Sequence, residues 1–377
     1  MYKLSLIFLI FLTSTAYGAP SVNGLSGAIT DGNSLVLSGT GFGNHDLDIE
    51  FLGGNDGAIE NMALGRGSSF GNWILGDGSG LDTYVQVIND ASVVRSGSKA
   101  WFFDMPSDGK YAGSARFDYG RSIPEDTPIY ISWWVRKDWG NHSGQWKMFR
   151  LAYQNNIQDQ GTELMMSNWT SSNLFLARPG DNYNDYAMTY YGNSGAYPSE
   201  NNVWYRMEML VTTSTQGNKD GHVDIKIHDT STGEIRNTSF SFSGDTSPYF
   251  PNIYTYNVDK RYRWFLWQNY RGNGMDNLKV WMDDMYVQVG THKRIELCDS
   301  ATWSNCSSRE IQKPTQWSDN AISVNLNRGG FKNDAQQYYL YVVDENNNPS
   351  NAYPISFSGN GNAPPYPPAS LQIQSVN

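Results

Sequence analysis

The sequence predicts an all-β protein, and three observations lead to that fold class. Aromatic residues make up 14% of the 377 residues. Segments with the alternating polarity of strands recur along the chain, and amphipathic helical windows are nearly absent. Trp, Tyr and Phe favour strands over helices, and the chain is long enough for two or three domains. We therefore expect β-sandwiches with buried cores.

Eight segments carry the strand signal most clearly, with Gly, Asn, Asp and Ser between them as in turns. In chain order they are residues 34–39, 128–135, 203–211, 222–228, 262–269, 278–287, 321–326 and 338–343. Short strands that follow one another in this way are typical of sandwiches.

The first 18 residues are predicted to be a signal peptide. A weakly basic start precedes an apolar run at 4–12, which is too short to span a bilayer, and small residues for cleavage follow at 16–18. Because no later stretch approaches about 20 apolar residues, we expect no membrane span. We therefore expect a secreted, periplasmic or cell-surface protein.

The net charge restricts the possible binding partners, and the two cysteines predict a disulfide. The formal net charge of −10 opposes binding to nucleic acid and to anionic membranes. The two cysteines, Cys298 and Cys306, enclose a short loop, and in an oxidising compartment they are expected to form a disulfide. Free buried thiols are the alternative, and two cysteines alone are too few for a metal site.

The two ends of the chain resemble two halves of one module. PSVNGLSGAITDGNSLVLSGTGFG resembles the opening of the Ig-like TIG/IPT module, and residues 317–357 resemble its closing half. Since an isolated pair of strands is marginal in water, we predict that the halves pair with each other. The predicted boundaries are 19–50 and 291–357 for this split Ig-like module, 51–290 for an inserted domain and 358–377 for a flexible tail. A self-contained C-terminal sandwich is the alternative.

The middle domain resembles the concanavalin A-like jelly roll of laminin G-like modules, legume lectins, laminarinases and several polysaccharide lyases. The resemblance rests on ISWWVRKDWG, QWKMFRLAY, VWYRMEMLVTTSTQGNKDGHVDIKIHD and LKVWMDDMYV. It implies the fold better than the activity, because this fold hosts lectins, hydrolases, lyases and adhesion modules. It also implies a structural Ca²⁺ near the closing strand, with Asp283 and Asp284 as candidate ligands. Adjacent strand residues face opposite ways, so at most one carboxylate would reach a given ion.

Strand alternation predicts a binding face on the concave sheet. If the strands share that sheet, their outer positions bring together eight candidates: Trp134, Arg136, Arg150, Arg206, Glu208, Trp267, Asn269 and Arg271. Aromatic faces stack on sugar rings, and clustered guanidinium groups bind carboxylate or sulfate. The leading hypothesis is therefore binding of an acidic extracellular polysaccharide by a monomer. The alternative is that the arginines pair with acids on a solvated sheet and the tryptophans belong to the core.

Catalysis by β-elimination is the first alternative function. Elimination on a uronate needs a cation at the carboxylate and a base near the acidified C–H. Arg150 and Arg271 are candidates for the cation, and the candidate bases are Tyr190, Tyr191, Tyr270, His142 and Lys147.

Hydrolysis is a weaker alternative, and a structural or adhesion module without a sugar site is another. Asp46, Asp48 and Glu50 resemble the catalytic strand of the laminarinase and lichenase family, where carboxylates two residues apart share one strand face. Asp46 is shorter than the glutamate expected there, and the motif precedes the jelly-roll strands.

Overall fold

The computed structural model describes residues 18–52, 58–75, 85–105, 114–140, 146–152, 163–168, 174–177, 188–191, 198–213, 215, 221–241, 261–271 and 277–357. The predicted signal peptide, apart from residue 18, and the predicted tail lie outside these ranges. The regular secondary structure of the described residues is almost entirely strand, which confirms the all-β prediction. They include one helical turn, α1 (Ala58–Asn61), and one short 3-10 helix (Trp303–Asn305). No helix in the described part of the chain is long and apolar enough to cross a membrane.

Both ends of the chain contribute to one seven-stranded sheet. Its members, numbered in chain order, are β1 (Ser21–Ser26), β2 (Ser34–Thr40), β20 (Arg294–Cys298), β21 (Arg309–Trp317), β22 (Ala321–Asn325), β23 (Gln337–Val343) and β24 (Tyr353–Ser356). The order across the sheet is β1-β2-β22-β21-β20-β23-β24. Leu35 of β2 pairs with Val324 of β22, and both are fully buried. We call these seven strands the terminal unit.

The middle of the chain forms a sandwich of two larger sheets. The nine-stranded sheet contains β3 (Ile49–Leu52), β4 (Gly65–Arg66), β7 (Val85–Ile88), β8 (Ala100–Met105), β10 (Pro128–Trp139), β15 (Trp204–Thr212), β16 (His222–Asp229), β17 (Glu234–Ser241) and β19 (Leu278–Val289). The eight-stranded sheet contains β5 (Ser69–Phe70), β6 (Trp73–Leu75), β9 (Ser114–Asp118), β11 (Trp146–Ala152), β12 (Glu163–Asn168), β13 (Leu174–Ala177), β14 (Met188–Tyr191) and β18 (Trp264–Arg271). Two antiparallel sheets face to face agree with the predicted jelly roll.

The core of the sandwich lies between these two sheets and is rich in aromatic residues. Trp133 of β10 stacks on Phe149 of β11, with ring centroids 5.3 Å apart. Trp267 of β18 stacks on Trp73 of β6 at 5.3 Å. All four side chains are at most 1% exposed, so each sheet has one face committed to the core.

The terminal unit packs against the outer face of the nine-stranded sheet. Tyr130 and Leu210 from that face form a buried apolar cluster with Ile311 of β21. The terminal unit also contains the predicted disulfide between Cys298 and Cys306, whose Cα atoms are 5.8 Å apart. The disulfide prediction is confirmed.

Candidate functional site

The eight predicted binding residues do not share one face. Trp134, Arg136, Arg206 and Glu208 lie in the nine-stranded sheet, whereas Arg150, Trp267, Asn269 and Arg271 lie in the eight-stranded sheet. The prediction of a single trough is therefore wrong. Alternation along β10 and β15 was predicted correctly, but it could not show that the two groups of strands belong to different sheets.

Arg206 and Glu208 belong to a buried ionic network between the sandwich and the terminal unit. Arg206 donates to the carboxylate of Glu296 at 2.8 Å and to the carbonyl oxygen of Arg309 at 2.9 Å. The hydroxyl of Tyr130 donates to Glu208 at 2.5 Å. Arg206 and Glu208 are at most 1% exposed, so neither can contact a polymer.

Trp134 is covered by the same contact. Its indole N–H donates to Glu310 at 2.9 Å, and the guanidinium carbon of Arg95 lies 3.3 Å from its ring centroid. Arg95 also forms an ion pair with Glu310. A Cβ at Gly330 would stand 2.3 Å from the guanidinium of Arg95, so a larger residue there would displace that side chain. Trp134 therefore holds the two units together.

Four of the other five candidates differ from the prediction or have side chains that the structure does not describe. Arg136 donates to Asn202 at 3.0 Å and stands over the ring of Trp281, with 5.3 Å to the ring centroid. Trp267 is fully buried in the core, because the strand phase predicted for 262–269 was inverted at this point. The side chains of Asn269 and Arg271 lie outside the described ones.

The buried network is electrostatically balanced. The Arg294 and Arg206 guanidinium groups outweigh burial at Glu296 and lower the pKa of its carboxyl to about 2. The pKa of Glu208 is likewise held well below its usual value, with Arg206 as the largest stabilising charge. Burial lowers the pKa of His228, whose imidazole contacts Glu208. The two carboxylates are thus ionised at neutral pH.

Two arginines lie in one register row on the outer face of the eight-stranded sheet. Arg116 of β9 pairs with Leu266 of β18, which pairs on its other side with Arg150 of β11. Met165 of β12 continues the row. Strand neighbours such as Phe117 belong to the core, so Arg116 and Arg150 are on the opposite face. Both are 6% exposed, and two strand spacings, about 10 Å, separate them. We call these four positions the arginine row.

A buried aromatic and apolar cluster adjoins the arginine row. Trp264, Leu266 and Ala152 form a cluster separate from the main core, and Trp264 is 9% exposed. The guanidinium of Arg263 binds both carboxylate oxygens of Asp118 at 2.6 and 2.7 Å. Trp264 is not among the eight predicted binding residues, which the inverted strand phase explains.

Three of the predicted bases occupy a second row, which we call the lysine row. Lys147 pairs with Tyr270 on one side and with Ser167 on the other, and the row ends at Tyr190. Ser167 is two residues from Met165 of the arginine row. The two rows are about 7 Å apart along β12. Along β18 they are four residues, about 13 Å, apart, because the register shifts between Lys147 and Phe149. Both separations are even numbers of residues, which places the two rows on the same face of the sheet.

The structure does not describe the side chains of the lysine row, so its residues are assigned to the row by backbone pairing alone. Of the other two predicted bases, Tyr191 pairs with Leu174 outside this row, and His142 lies outside the described residues. Strand register thus places Lys147, Tyr190 and Tyr270 in one row and Arg150 in the neighbouring row, and the role of each residue stays a prediction.

The predicted calcium ligands are both buried beside the terminal unit. Asp283 accepts hydrogen bonds from the backbone N–H groups of Arg95 at 2.9 Å, Ser96 at 3.1 Å and Asp284 at 2.9 Å. The Ser96 hydroxyl donates to Asp284 at 2.6 Å. Asp284 has a φ of 47°, which interrupts strand alternation. The expectation that the two carboxylates point to opposite faces is therefore wrong.

This pair does not fit the predicted Ca²⁺ site. N–H donors already occupy both carboxylate oxygens of Asp283, and a Ca²⁺ ion needs six to eight oxygen ligands. Among the described residues, the pair belongs to no group of three or more metal-ligating side chains. Burial raises the pKa of both carboxyl groups, that of Asp284 to about 7, where repulsion from Glu310 adds to the effect.

The three acids of the hydrolase alternative do not share a strand. Asp46 and Asp48 precede β3, and Glu50 lies within it. The carboxylate of Asp48 accepts hydrogen bonds from Tyr119 and Arg121. Burial raises the pKa of Glu50. The spacing of two residues therefore does not produce the predicted catalytic strand.

Sequence reasoning missed Arg116 and Trp264. In the segment SARFD, Ala115 and Phe117 alternate with Arg116, and this pattern could have placed the arginine on an outer face. Trp264 had no such signal, because both parities of its strand are aromatic.

Comparisons with known proteins give structural likeness alone. No protein-family model and no curated protein matches the chain. A marine PL-14 alginate lyase from Aplysia kurodai is 12% identical with a TM-score of 0.41, and the match covers 55% of this chain and 87% of that one. An endo-beta-1,4-glucuronan lyase from the fungus Trichoderma reesei is 12% identical with a TM-score of 0.39, over 64% of this chain and 94% of that one.

A carbohydrate esterase from the Shiga toxin-encoding bacteriophage phi24B is 12% identical with a TM-score of 0.37, over 65% of this chain and 99% of that one. At these identities and TM-scores, the function of this chain has to be argued from its own residues.

Proposed function

We propose that the protein is a polysaccharide lyase that cleaves an acidic, uronate-containing polymer on the outer face of the eight-stranded sheet. One observation carries the proposal: the arginine row and the lysine row lie next to each other on one face. A cation for the carboxylate and a group able to remove the proton are the two components that elimination needs.

The arginine row binds the carboxylates of the polymer. Guanidinium groups form paired hydrogen bonds with carboxylates, and such bonds are stronger in a poorly solvated site than in water. Arg116 and Arg150 are both largely buried and flank Leu266. Trp264 beside them offers an aromatic surface for a sugar ring.

The lysine row supplies the candidate bases. Tyr270 and Lys147 are direct register partners, and Tyr190 lies further along the same row. An adjacent guanidinium stabilises the ionised form of a phenol or the neutral form of an amine, and either form can accept a proton.

The reaction would then follow from these two rows. Arg150 neutralises the uronate carboxylate, which makes the C5 proton more acidic. The base of the lysine row takes that proton, the electron pair forms the C4=C5 double bond, and the C4–O bond to the neighbouring sugar breaks. The departing oxygen acquires a proton, and no water is consumed.

A panel of polymers tests the proposal. Alginate, pectin, heparin and a neutral β-glucan are incubated with the full chain while the absorbance of unsaturated uronate is followed. We expect absorbance to rise with at least one uronate polymer and not with the β-glucan. The products should be lighter by one water than those of hydrolysis. Reducing ends without unsaturated uronate would contradict elimination.

Binding without cleavage is the second candidate function. The arginine row and Trp264 are sufficient to hold an acidic polymer even if no base of the lysine row is correctly placed. This candidate predicts retention on an alginate or pectin affinity column, weakened by salt, with no absorbance change.

Export and an Ig-like identity of the terminal unit belong to the same proposal. The Cys298–Cys306 disulfide supports an oxidising compartment, where polymers of this kind occur outside the cell. The pairing of β2 with β22 supports a split TIG/IPT-like module that carries the lyase domain as an insertion. Cleavage of residues 1–18 on secretion, read by N-terminal sequencing, tests the export proposal.

A further inference from the structure

A cleft of about 620 Å³ lies where the chain crosses between the terminal unit and the sandwich. The first crossing, residues 43–48, forms one wall, and the second, residues 289–293, forms another. The segment 119–127 of the sandwich and Glu345 of the terminal unit complete the lining. Its volume falls within the range of about 300 to 1,000 Å³ that small-molecule sites occupy, and such sites are frequent at domain junctions.

The sandwich side of the cleft presents a connected polar group. The Tyr119 hydroxyl and the Arg121 guanidinium both donate to the carboxylate of Asp48. Arg121 also donates to the Tyr119 hydroxyl at 2.9 Å, and its guanidinium carbon stands 5.0 Å from the centroid of the Tyr119 ring. Since the side chains of Arg121 and Asp48 are 69% and 40% exposed, a ligand can reach this group.

The side nearer the terminal unit is polar as well. The ammonium group of Lys293 donates to the carbonyl oxygen of Asn44 at 3.2 Å. Glu345 accepts a hydrogen bond from the backbone N–H of His292 at 2.8 Å and another from the hydroxyl of Thr291. These contacts hold both walls in place without filling the cleft.

The charges of the lining select the class of ligand. Three carboxylates (Asp46, Asp48, Glu345) face two cations (Arg121, Lys293). This balance repels an acidic sugar. In the described part of the chain, these acids form no group of three or more metal-ligating side chains. Donors and acceptors from both sides, with an aromatic ring beside them, suit a ligand that carries many hydroxyl groups and no charge.

We infer that this junction cleft is a second carbohydrate site, which binds a neutral sugar of one or two rings. It is distinct from the arginine row, none of whose residues lines the cleft, although the lining segment 119–127 directly follows β9, the strand of Arg116. Because both crossings line the cleft, a bound sugar contacts the sandwich and the terminal unit together. Binding therefore also restrains the two units relative to each other.

Titration calorimetry on the full chain tests the inference. The probes are glucose, galactose, mannose, cellobiose, lactose and maltose, with a uronate disaccharide as the charged comparison. We expect at least one neutral sugar to bind and the uronate disaccharide to bind at least about tenfold more weakly in the cleft. The Arg150→Ala variant, which alters only the arginine row, should bind the neutral sugar as the unaltered chain does.

Two variants localise the binding. Ser122→Trp fills the cleft and should abolish neutral-sugar binding. Arg121→Ala removes an exposed side chain, so the fold should persist, and it should weaken binding about tenfold. Arg66→Ala, an exposed arginine elsewhere on the sandwich, is the matched control and should change nothing. Failure of every neutral sugar to bind, equal binding by Ser122→Trp, or binding of Ca²⁺ alone at the cleft would each overturn the inference.

Discussion

The two outer faces of the sandwich use the same residue types for opposite purposes. On the nine-stranded sheet, Trp134 and Arg206 are covered by the terminal unit and hydrogen-bonded to its acids. On the eight-stranded sheet, Arg116 and Arg150 lie beside Trp264, and among the described residues no strand of the terminal unit belongs to that sheet. An outward arginine next to a tryptophan is therefore not a binding signal by itself. The element that covers the face decides its role.

The largest effect that separates the two faces is expected for Arg206→Ala. Removing this guanidinium leaves Glu296 and Glu208 buried with less compensation, and breaking such a pair costs about 3 to 5 kcal/mol. Urea denaturation should show that loss in the free energy of unfolding. The control is Arg136→Ala in the same sheet, which should cost at most about 1 kcal/mol. Equal costs for the two variants would mean that the network does not hold the units together.

Acid should weaken the covered face selectively. The pKa of Glu296 is about 2 in the folded chain, below its usual 4.5, so this carboxyl favours folding above pH 4.5. The stabilisation is lost as the pH falls from 4.5 to about 2, and amounts to about 3 kcal/mol. Urea denaturation across this range measures it. The double variant R294M/E296Q, which lacks the pair, should show a shallower loss, and an equal slope would argue against the network.

Asp284→Asn should have a smaller effect, with the opposite pH dependence. Burial raises the pKa of Asp284 from 3.8 to about 7, so the folded chain keeps a proton that the unfolded chain releases. Stability therefore falls as the pH rises from 3.8 to about 7. Asparagine removes this penalty, and we expect a gain of about 1 to 2 kcal/mol at pH 8 and little change at pH 4. A loss of stability at pH 8 would show that the carboxylate has a favourable partner.

The smallest effect is expected on removal of calcium. Because Asp283 already accepts N–H donors on both oxygens, chelation with EDTA should leave the melting temperature unchanged. Addition of Ca²⁺ should not raise it. A calcium-dependent rise that Asp284→Asn abolishes would restore the predicted metal site.

Alternation predicted the faces of strands well where one parity is clearly apolar. Ile131 and Val135 are core residues and Trp134 faces outward, as the pattern of β10 predicts. Alternation failed for β18, because Trp264 and Trp267 are both aromatic and either could face the core. The sequence could not show which sheet a strand joins, or that the terminal unit covers one face. These depend on contacts between residues far apart in the chain.

The interruption of strand alternation at Asp284 could not be predicted from the sequence pattern either. Its positive φ brings two neighbouring carboxylates to the same serine, whereas a regular strand would separate them. By contrast, the Cys298–Cys306 disulfide was predictable, since spacing and the expected compartment were sufficient evidence.

The rate of unsaturated uronate formation in variants of the two faces tests the central claim most directly. The polymer is the best substrate of the panel, and the variants are Arg150→Ala on the eight-stranded sheet and Arg136→Ala on the nine-stranded sheet. We predict that Arg150→Ala lowers kcat/KM about 100-fold in a chain that is still folded at the assay temperature, and that Arg136→Ala keeps the original rate. Equal rates for both variants, or no unsaturated product from any uronate polymer, would contradict the account.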